Sequence, residues 1–153
     1  TNDVKSTWSD CNPSCRHGEQ PETLPHLLCH CPTNMTTITA RHDKVLDRLT
    51  NALRSGQVTT NQTVSDGNSP VRLNIAIEDG TTVTIIDVCC PFENGEEALD
   101  KAVARKEVKY QHLQAHFEAQ GKSCSLLGFT IGALGTWHPR NERVLSALGM
   151  TKR

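Results

Sequence analysis

The sequence predicts an α/β domain that follows a short zinc-binding segment. Two runs rich in β-branched residues flank Asp79-Gly80, a strong hairpin signal, and an apolar stripe at helical spacing runs through residues 96–120. Cysteine and histidine crowd into residues 11–31. A chain of 153 residues that is 36% hydrophobic has room for one compact core and a small appendage.

Residues 1–34 are rich in Pro, Cys, His and Thr and have few apolar residues, so this segment needs a metal to hold it in place. Its ligand pattern is C-x3-C-x10-H-x4-C, formed by Cys11, Cys15, His26 and Cys31. A tetrahedral structural zinc site accepts such a set. Three further residues leave the choice of ligands open: Cys29, His17 and His30. The competing interpretation is a group of reduced thiols that bind nothing.

A helix is predicted for residues 35–54, where apolar residues recur at helical spacing before Gly56. Residues 55–70 are polar and turn-forming, which predicts an exposed linker. We therefore divide the chain into a zinc-knuckle-like segment (1–34), a helix and linker (35–70) and a main domain (71–153).

The main domain is predicted to begin with an antiparallel hairpin of residues 72–77 and 82–89. Residues 83–88 are almost continuously apolar, which is typical of a central strand that is buried on both faces. A long helix should cover residues 96–120, followed by a strand at 125–131.

The end of the chain is predicted to be a loop at 132–139 and a final helix at 140–148. In the loop, Trp137 is interpreted as an anchor rather than as a platform for stacking a base. We expect Cys89, Cys90 and Cys124 to be buried thiols.

Lys106 is unusual among the lysines of the long helix because it falls on the apolar face, in line with Val103 and Tyr110. An inward ammonium needs an anionic partner, and Asp87 near the end of the central strand is the obvious one. The competing interpretation of Asp87 is a buried structural acid.

Two groups of cations are candidates for contacts with a phosphate backbone. They are Lys101, Arg105 and Lys109 on the long helix, and Arg41 and Lys44 on the first helix. A solvated helix face explains them equally well, because neighbouring acidic residues dilute their charge. The net charge of −1 gives no general argument for binding a polyanion.

The chain contains no apolar run of the roughly 18 residues that a membrane span needs, and it does not start like a signal peptide. We expect no membrane association and no secretion. Because the sequence begins with Thr1, we expect it to be a piece of a longer protein.

The stretch TTVTIIDVCCPFE at 81–93, followed by Lys106 and Lys109-Tyr110, resembles the restriction-like endonuclease of site-specific non-LTR retrotransposons. The amino-terminal part agrees with this resemblance. Its PETL sequence and Arg41-His42, together with the ligand pattern, are similar to the zinc knuckle and first helix that precede this nuclease. The resemblance covers nearly the whole chain.

The resemblance implies a PD-(D/E)xK fold that nicks target DNA for target-primed reverse transcription, with Mg²⁺ as the catalytic ion. It implies a site made of Asn74, Asp87, Lys106 and Tyr110. It further implies DNA as a partner, with element RNA as a second candidate, a polyprotein that carries a reverse transcriptase, and a nuclear location.

Two departures from the family pattern matter. The family has Pro-Asp where this chain has Leu73-Asn74, and Gly18 stands where the family has its second cysteine, so Cys11 has to substitute. A full carboxylate charge attracts a cation charge by roughly 4 kcal/mol at about 4 Å and an effective dielectric near 20. We therefore expect impaired nuclease activity. The alternatives are a non-catalytic zinc-containing nucleic-acid-binding module and an interaction domain with no nucleic-acid role.

Overall fold

The computed structural model describes residues 14–18, 20–53, 57–65 and 70–150. Cys11 lies outside this part of the chain. The helices are α1 (Met35–Ala52), α2 (Glu96–Ala119) and α3 (Asn141–Ala147). The strands are β1 (Gln57–Thr60), β2 (Thr63–Val64), β3 (Val71–Arg72), β4 (Ile75–Asp79), β5 (Thr82–Cys89) and β6 (Ser123–Thr130).

Four strands form a mixed sheet in the order β1-β4-β5-β6, and β2 pairs with β3 in a separate short ribbon. The predicted hairpin is confirmed: β4 and β5 are antiparallel, with Asp79 opposite Thr82. Gly80 makes the turn with φ of 58°, a conformation that costs glycine little. Strand β6 runs parallel to β5, and α2 connects the two.

Both faces of the sheet are covered, which confirms that β5 is a buried central strand. One face packs against α1 and α3, in a cluster that includes Leu46, Ile86 and Val144. The other face packs against α2, in a cluster that includes Ile85, Tyr110, Leu113 and Phe117. The alternation of side chains along β5 sends Ile85 and Ile86 to opposite layers. The fold class is α/β, as predicted.

The predicted linker contains strands instead of a loop alone. Gln57–Thr60 forms the edge strand of the main sheet and pairs with β4. Its short polar sequence resembles a loop because an edge strand faces water along much of its length. The first strand of the hairpin also starts later than predicted, at Ile75, because Arg72 pairs with Thr63 in the short ribbon.

The remaining elements match their predicted positions within a few residues. Trp137 pairs with Ile131 through an isolated β-bridge, and its ring meets Phe129 edge-on at 5.5 Å between centroids. These contacts fit an anchor within the loop, but Trp137 is 43% exposed and is not a core residue. Among the described residues, no helix has the combination of length and apolar character that crossing a membrane requires.

Candidate functional site

The amino-terminal segment folds back on itself and brings three ligand-type side chains together. A bridge joins Ser14 to Pro21, and the Cys15 amide donates to the Gln20 carbonyl at 2.7 Å. The chain then enters a π-helical turn at His26–His30. This path places Cys15 against the two ligands at the ends of that turn.

Cys15, His26 and Cys31 have ligand atoms within 4.8 Å of one another. The two sulfur atoms lie 3.9 Å apart. Two thiolates on a tetrahedral zinc, with Zn–S bonds of about 2.3 Å, would lie roughly 3.8 Å apart. The Nε2 atom of His26 is buried and has no hydrogen-bond partner among the described residues. A buried imidazole nitrogen without a partner is costly unless a metal completes it, so the cluster fits zinc.

The positions of the three alternative ligands place them outside the cluster. The Cys29 sulfur points to the Cys90 carbonyl at 3.7 Å, and His17 and His30 are exposed. None of the three belongs to the metal-type cluster found among the described residues. Three of the predicted ligands therefore meet, and the fourth, Cys11, lies outside the described part of the chain.

Arg41 connects the metal-binding segment to the main domain. Its Nη2 atom donates to the Leu28 carbonyl at 2.8 Å. Burial raises the pKa of the Cys29 and Cys90 thiols, and the Arg41 guanidinium beside them offsets part of that rise. The predicted contact of Arg41 with DNA therefore competes with a structural role, whereas Lys44 is exposed.

Asp87 and Lys106 meet as predicted. The Lys106 Nζ atom lies 2.7 Å from Oδ2 of Asp87, whose side chain is 4% exposed. The same Oδ2 is buried, and among the described residues the Lys106 ammonium is its ion-pair partner. The position of Lys106 on the apolar face of α2 explains the pairing, and its catalytic role stays a prediction.

Tyr110 borders the same pair one helical turn later. Burial raises its pKa, and the charge of the Asp87 carboxylate adds to that rise. The phenol therefore stays protonated near neutral pH and donates to the Arg72 carbonyl at 3.1 Å. The Lys109 ammonium approaches the phenol oxygen at 2.9 Å from outside.

Asn74 turns towards α1 and the backbone of β5. Its Oδ1 accepts the Val88 amide at 2.8 Å and lies 3.2 Å from Nε2 of His42. The Val88 amide is a fixed donor to this oxygen, and the His42 ring is a second donor in the tautomer that carries a proton on Nε2. Asn74 stands next to the Ile75–Ile86 pair of the hairpin, close in register to Asp87, and its side-chain oxygen is already used.

The ion pair has little free space on its inner side, although the Lys106 side chain is 30% exposed. Asp87, Lys106, Glu107 and Tyr110 border a gap that has no room for a water molecule. On the other side of Asp87, the Cys89 sulfur and the Thr130 hydroxyl lie 2.9 Å apart, and burial raises the pKa of Cys89. Binding of any ion or phosphate at Asp87 would therefore require Lys106 to move.

The cations of α2 share one open groove of about 830 Å³. Lys101, Arg105 and Lys109 line it along the helix, Phe92 and Val108 add apolar side chains, and His30 comes from the metal-binding segment. The prediction that these three cations share a surface is confirmed, and their binding to nucleic acid stays a prediction.

Two residues of this region were not predicted from the sequence as site residues. His42 contacts Asn74 across 32 residues of sequence, and Glu107 borders the gap beside Asp87. His42 stands in the Arg41-His42 pair that carries part of the family resemblance, and that was the available signal. Glu107 had no such signal, because an acid beside an inward lysine looks like a surface residue.

No protein-family model matches this chain. The chain is similar to a protein of Popillia japonica described as "Retrovirus-related Pol polyprotein from type-1 retrotransposable element R2", with 29% identity over 147 residues. The alignment covers 90% of this chain and 30% of the polyprotein, so the chain spans less than a third of that relative. The similarity supports a retrotransposon-related protein.

Proposed function

We propose that this chain is the zinc knuckle and restriction-like endonuclease region of a retrotransposon polyprotein that nicks target DNA, with activity lowered by Asn74. One observation carries the proposal: Lys106 reaches Asp87 at the end of the central strand, at 2.7 Å, beside Tyr110. A carboxylate on the central strand of a mixed sheet, met by a lysine from the following helix, suits the PD-(D/E)xK arrangement. The similarity to a retrotransposon polyprotein adds the biological context.

Asp87 has the chemistry to hold Mg²⁺, because this ion prefers carboxylate oxygens and keeps several waters. Among the described residues the Lys106 ammonium is the partner of its Oδ2, which leaves an oxygen available once Lys106 moves aside. When bound, Mg²⁺ supplies an activated water and stabilises the charge that develops on the phosphate. The second ligand position that the resemblance implies is Asn74, whose neutral oxygen already accepts the Val88 amide, so a full carboxylate charge is missing.

The protein's own residues would do the rest. Lys106 neutralises Asp87 in the closed form and would approach a phosphate oxygen when that form opens. Tyr110 stays a hydrogen-bond donor because of its raised pKa. The metal-binding cluster would hold the amino-terminal segment against α1, where Arg41 contacts Leu28. The proposed nuclear location follows from target DNA as substrate.

A second function has an observation in its favour: a zinc-containing nucleic-acid-binding module without catalysis. The gap at Asp87 has no room for a water molecule, and the Asn74 oxygen already accepts the Val88 amide. Such a site suits a structural ion pair as well as a resting nuclease. The two functions differ in whether a metal ion and a restored charge produce cleavage.

Mg²⁺-dependent nicking of supercoiled plasmid separates the two functions. We expect Asn74→Asp to nick at least tenfold faster than the parent, because the change is nearly isosteric and adds the missing charge. Leu73 stays unchanged, because its amide donates to the Gln62 carbonyl at 2.8 Å and its side chain is buried in the core, so proline there would remove both contacts. Asp87→Ala in the restored background should abolish the gain. Folded, metal-binding variants that never nick would favour the binding module.

A further inference from the structure

We infer that the groove between α2 and the metal-binding segment binds an unpaired DNA strand, with phosphates on the helix cations and a base against Phe92. This inference deepens the proposed function and rests on it for the choice of DNA. The groove measures about 830 Å³ and is open to solvent along α2. Its two walls have different chemistry, and that difference selects the ligand.

One wall is a line of positive charge. Lys101, Arg105 and Lys109 are exposed and follow one another every four residues on α2. Four residues of helix rise about 6 Å, so the cations form a ladder that an extended sugar–phosphate backbone can follow. Such a ladder attracts a polyanion and releases its counterions.

The acidic residues nearby do not cancel this charge. Glu97 pairs with Lys101 at 3.0 Å, but both side chains are largely exposed and such pairs are weak. Glu93 turns its carboxylate to the backbone amides of Leu134 and Thr136, at 2.9 to 3.0 Å. Arg105 therefore faces the groove without a carboxylate partner among the described ion pairs.

The wall opposite α2 is apolar. It contains Phe92, which is half-buried and follows β5. Val108, which is 68% exposed, lies on α2 between Arg105 and Lys109 and adds an apolar side chain to the cation wall. An aromatic ring beside cations is the combination that proteins use to stack unpaired bases. A duplex keeps its base faces stacked inside, so it would leave the Phe92 ring uncovered, and the ring therefore favours a single strand.

The choice of DNA over RNA rests on the proposed function, which acts on target DNA. Among the described residues, no side-chain hydroxyl or amide lines the groove. Proteins that select RNA contact its 2′-hydroxyl groups with polar side chains. The RNA strand is therefore one arm of the test below.

The groove also leads to the proposed nuclease site. Lys109 lies at 2.9 Å from the Tyr110 phenol oxygen and 4.6 Å from the centre of its ring. Tyr110 in turn borders Asp87 and Lys106. A strand that follows the three cations would pass the carboxylate site at the end of the ladder.

Fluorescence anisotropy on the full chain tests this inference. The probes are a labelled DNA strand of mixed sequence, its blunt duplex and the RNA strand of the same sequence. We expect the single DNA strand to bind several-fold more tightly than either of the others. Arg105→Gln should weaken that binding about tenfold and reduce the salt slope by about 0.7. Arg143→Gln on α3 is the matched control, an exposed helical arginine outside the groove, and should change neither value.

Phe92→Leu tests the apolar wall, because leucine keeps the packing and removes the ring face. We expect about a fivefold loss for the single strand and no loss for the duplex. Equal or tighter duplex binding that Arg105→Gln weakens as much would overturn the inference, as would RNA binding as tightly as DNA. An unchanged affinity in Phe92→Leu would overturn the base contact.

The plasmid-nicking assay keeps this inference separate from the proposed function. Selective strand binding that depends on Arg105, in a chain whose restored variants never nick, would leave the groove standing and remove the nuclease. Nicking by Asn74→Asp without selective strand binding would support the nuclease and overturn the binding of a single strand in the groove.

Discussion

The metal-type cluster and the ion-pair site differ in how their buried polar groups obtain a partner. Both contain buried polar groups that need a partner. In the cluster, no described residue partners the buried His26 Nε2, and the two sulfurs stand 3.9 Å apart, so the described ligands leave a position that an ion can fill. At the other site, Lys106 fills that position at 2.7 Å from Asp87. The first site depends on something outside the chain, and the second is complete in itself.

Loss of the metal should therefore affect the cluster and leave the ion-pair site intact, and this should be the largest difference between the two sites. We expect Cys31→Ser to lose the bound zinc and to unfold residues 14–34, because structural zinc contributes on the order of 10 kcal/mol in small zinc-binding segments. Elemental analysis of the purified protein and protease cleavage after chelation measure both effects. The main domain should keep its cooperative unfolding.

Cys29→Ser is the matched control for the metal experiment. It removes a thiol from the same turn, but this sulfur points to the Cys90 carbonyl. We expect this variant to keep its zinc. If Cys29→Ser and Cys31→Ser lose the metal equally, the ligand set described for this cluster is wrong.

The next largest effect on stability should come from removing the ion pair between Lys106 and Asp87. Lys106→Met leaves the Asp87 carboxylate buried without a cation, and we expect a loss of about 2–3 kcal/mol in the free energy of unfolding. This value is below the range for fully buried pairs because the Lys106 side chain is 30% exposed. Urea denaturation measures it. Adding Asp87→Asn to Lys106→Met should recover most of the loss.

Lys122→Met gives the matched control for this pair. Its ammonium lies 2.6 Å from Glu78, a similar distance, but the Glu78 carboxylate is 43% exposed. We expect a loss below about 1 kcal/mol, because water screens such a pair. Similar losses in both lysine variants would mean that burial of Asp87 does not decide the energy.

The sequence predicted the ion pair well and the surroundings of Asn74 poorly. The inward position of Lys106 followed from helical spacing, and only one acid lay on the central strand. The partners of Asn74 depend on how α1 crosses the sheet, and no local sequence pattern predicts that crossing. The edge strand β1 was missed because its residues face water, and the choice between Cys29 and Cys31 depends on which way a short helical turn points.

Asn74→Asp should make the internal site behave more like the metal cluster. The Val88 amide and the His42 ring can both donate to a carboxylate, so the variant should fold. With two carboxylates near the end of β5, we expect the melting temperature to rise with Mg²⁺, by an amount that reflects about 1–2 kcal/mol at saturating ion. The parent should show no such rise, and Asp87→Ala in the variant should remove it.

The smallest expected effect concerns Glu93, a third polar group whose partners lie within the chain. The Glu93 carboxylate accepts the backbone amides of Leu134 and Thr136 at 2.9 to 3.0 Å. Partial burial raises the pKa of Glu93, but these hydrogen bonds lower it by more, so the pKa lies below the ordinary value of 4.5. Glu93→Gln keeps one oxygen and loses the charge, and we expect a loss of about 1 kcal/mol at neutral pH.

The sign of its pH dependence follows from the lowered pKa of Glu93. A carboxylate that is held ionised contributes stability above its ordinary pKa, and that contribution is lost as the pH falls through the folded value. The difference in unfolding free energy between parent and Glu93→Gln should therefore be largest near pH 7 and shrink below about pH 4.5. Glu97→Gln, on the exposed end of α2, should show almost no difference at either pH. A deficit in Glu93→Gln that stays constant down to acid pH would mean that the carboxylate's shape, and not its charge, holds the loop.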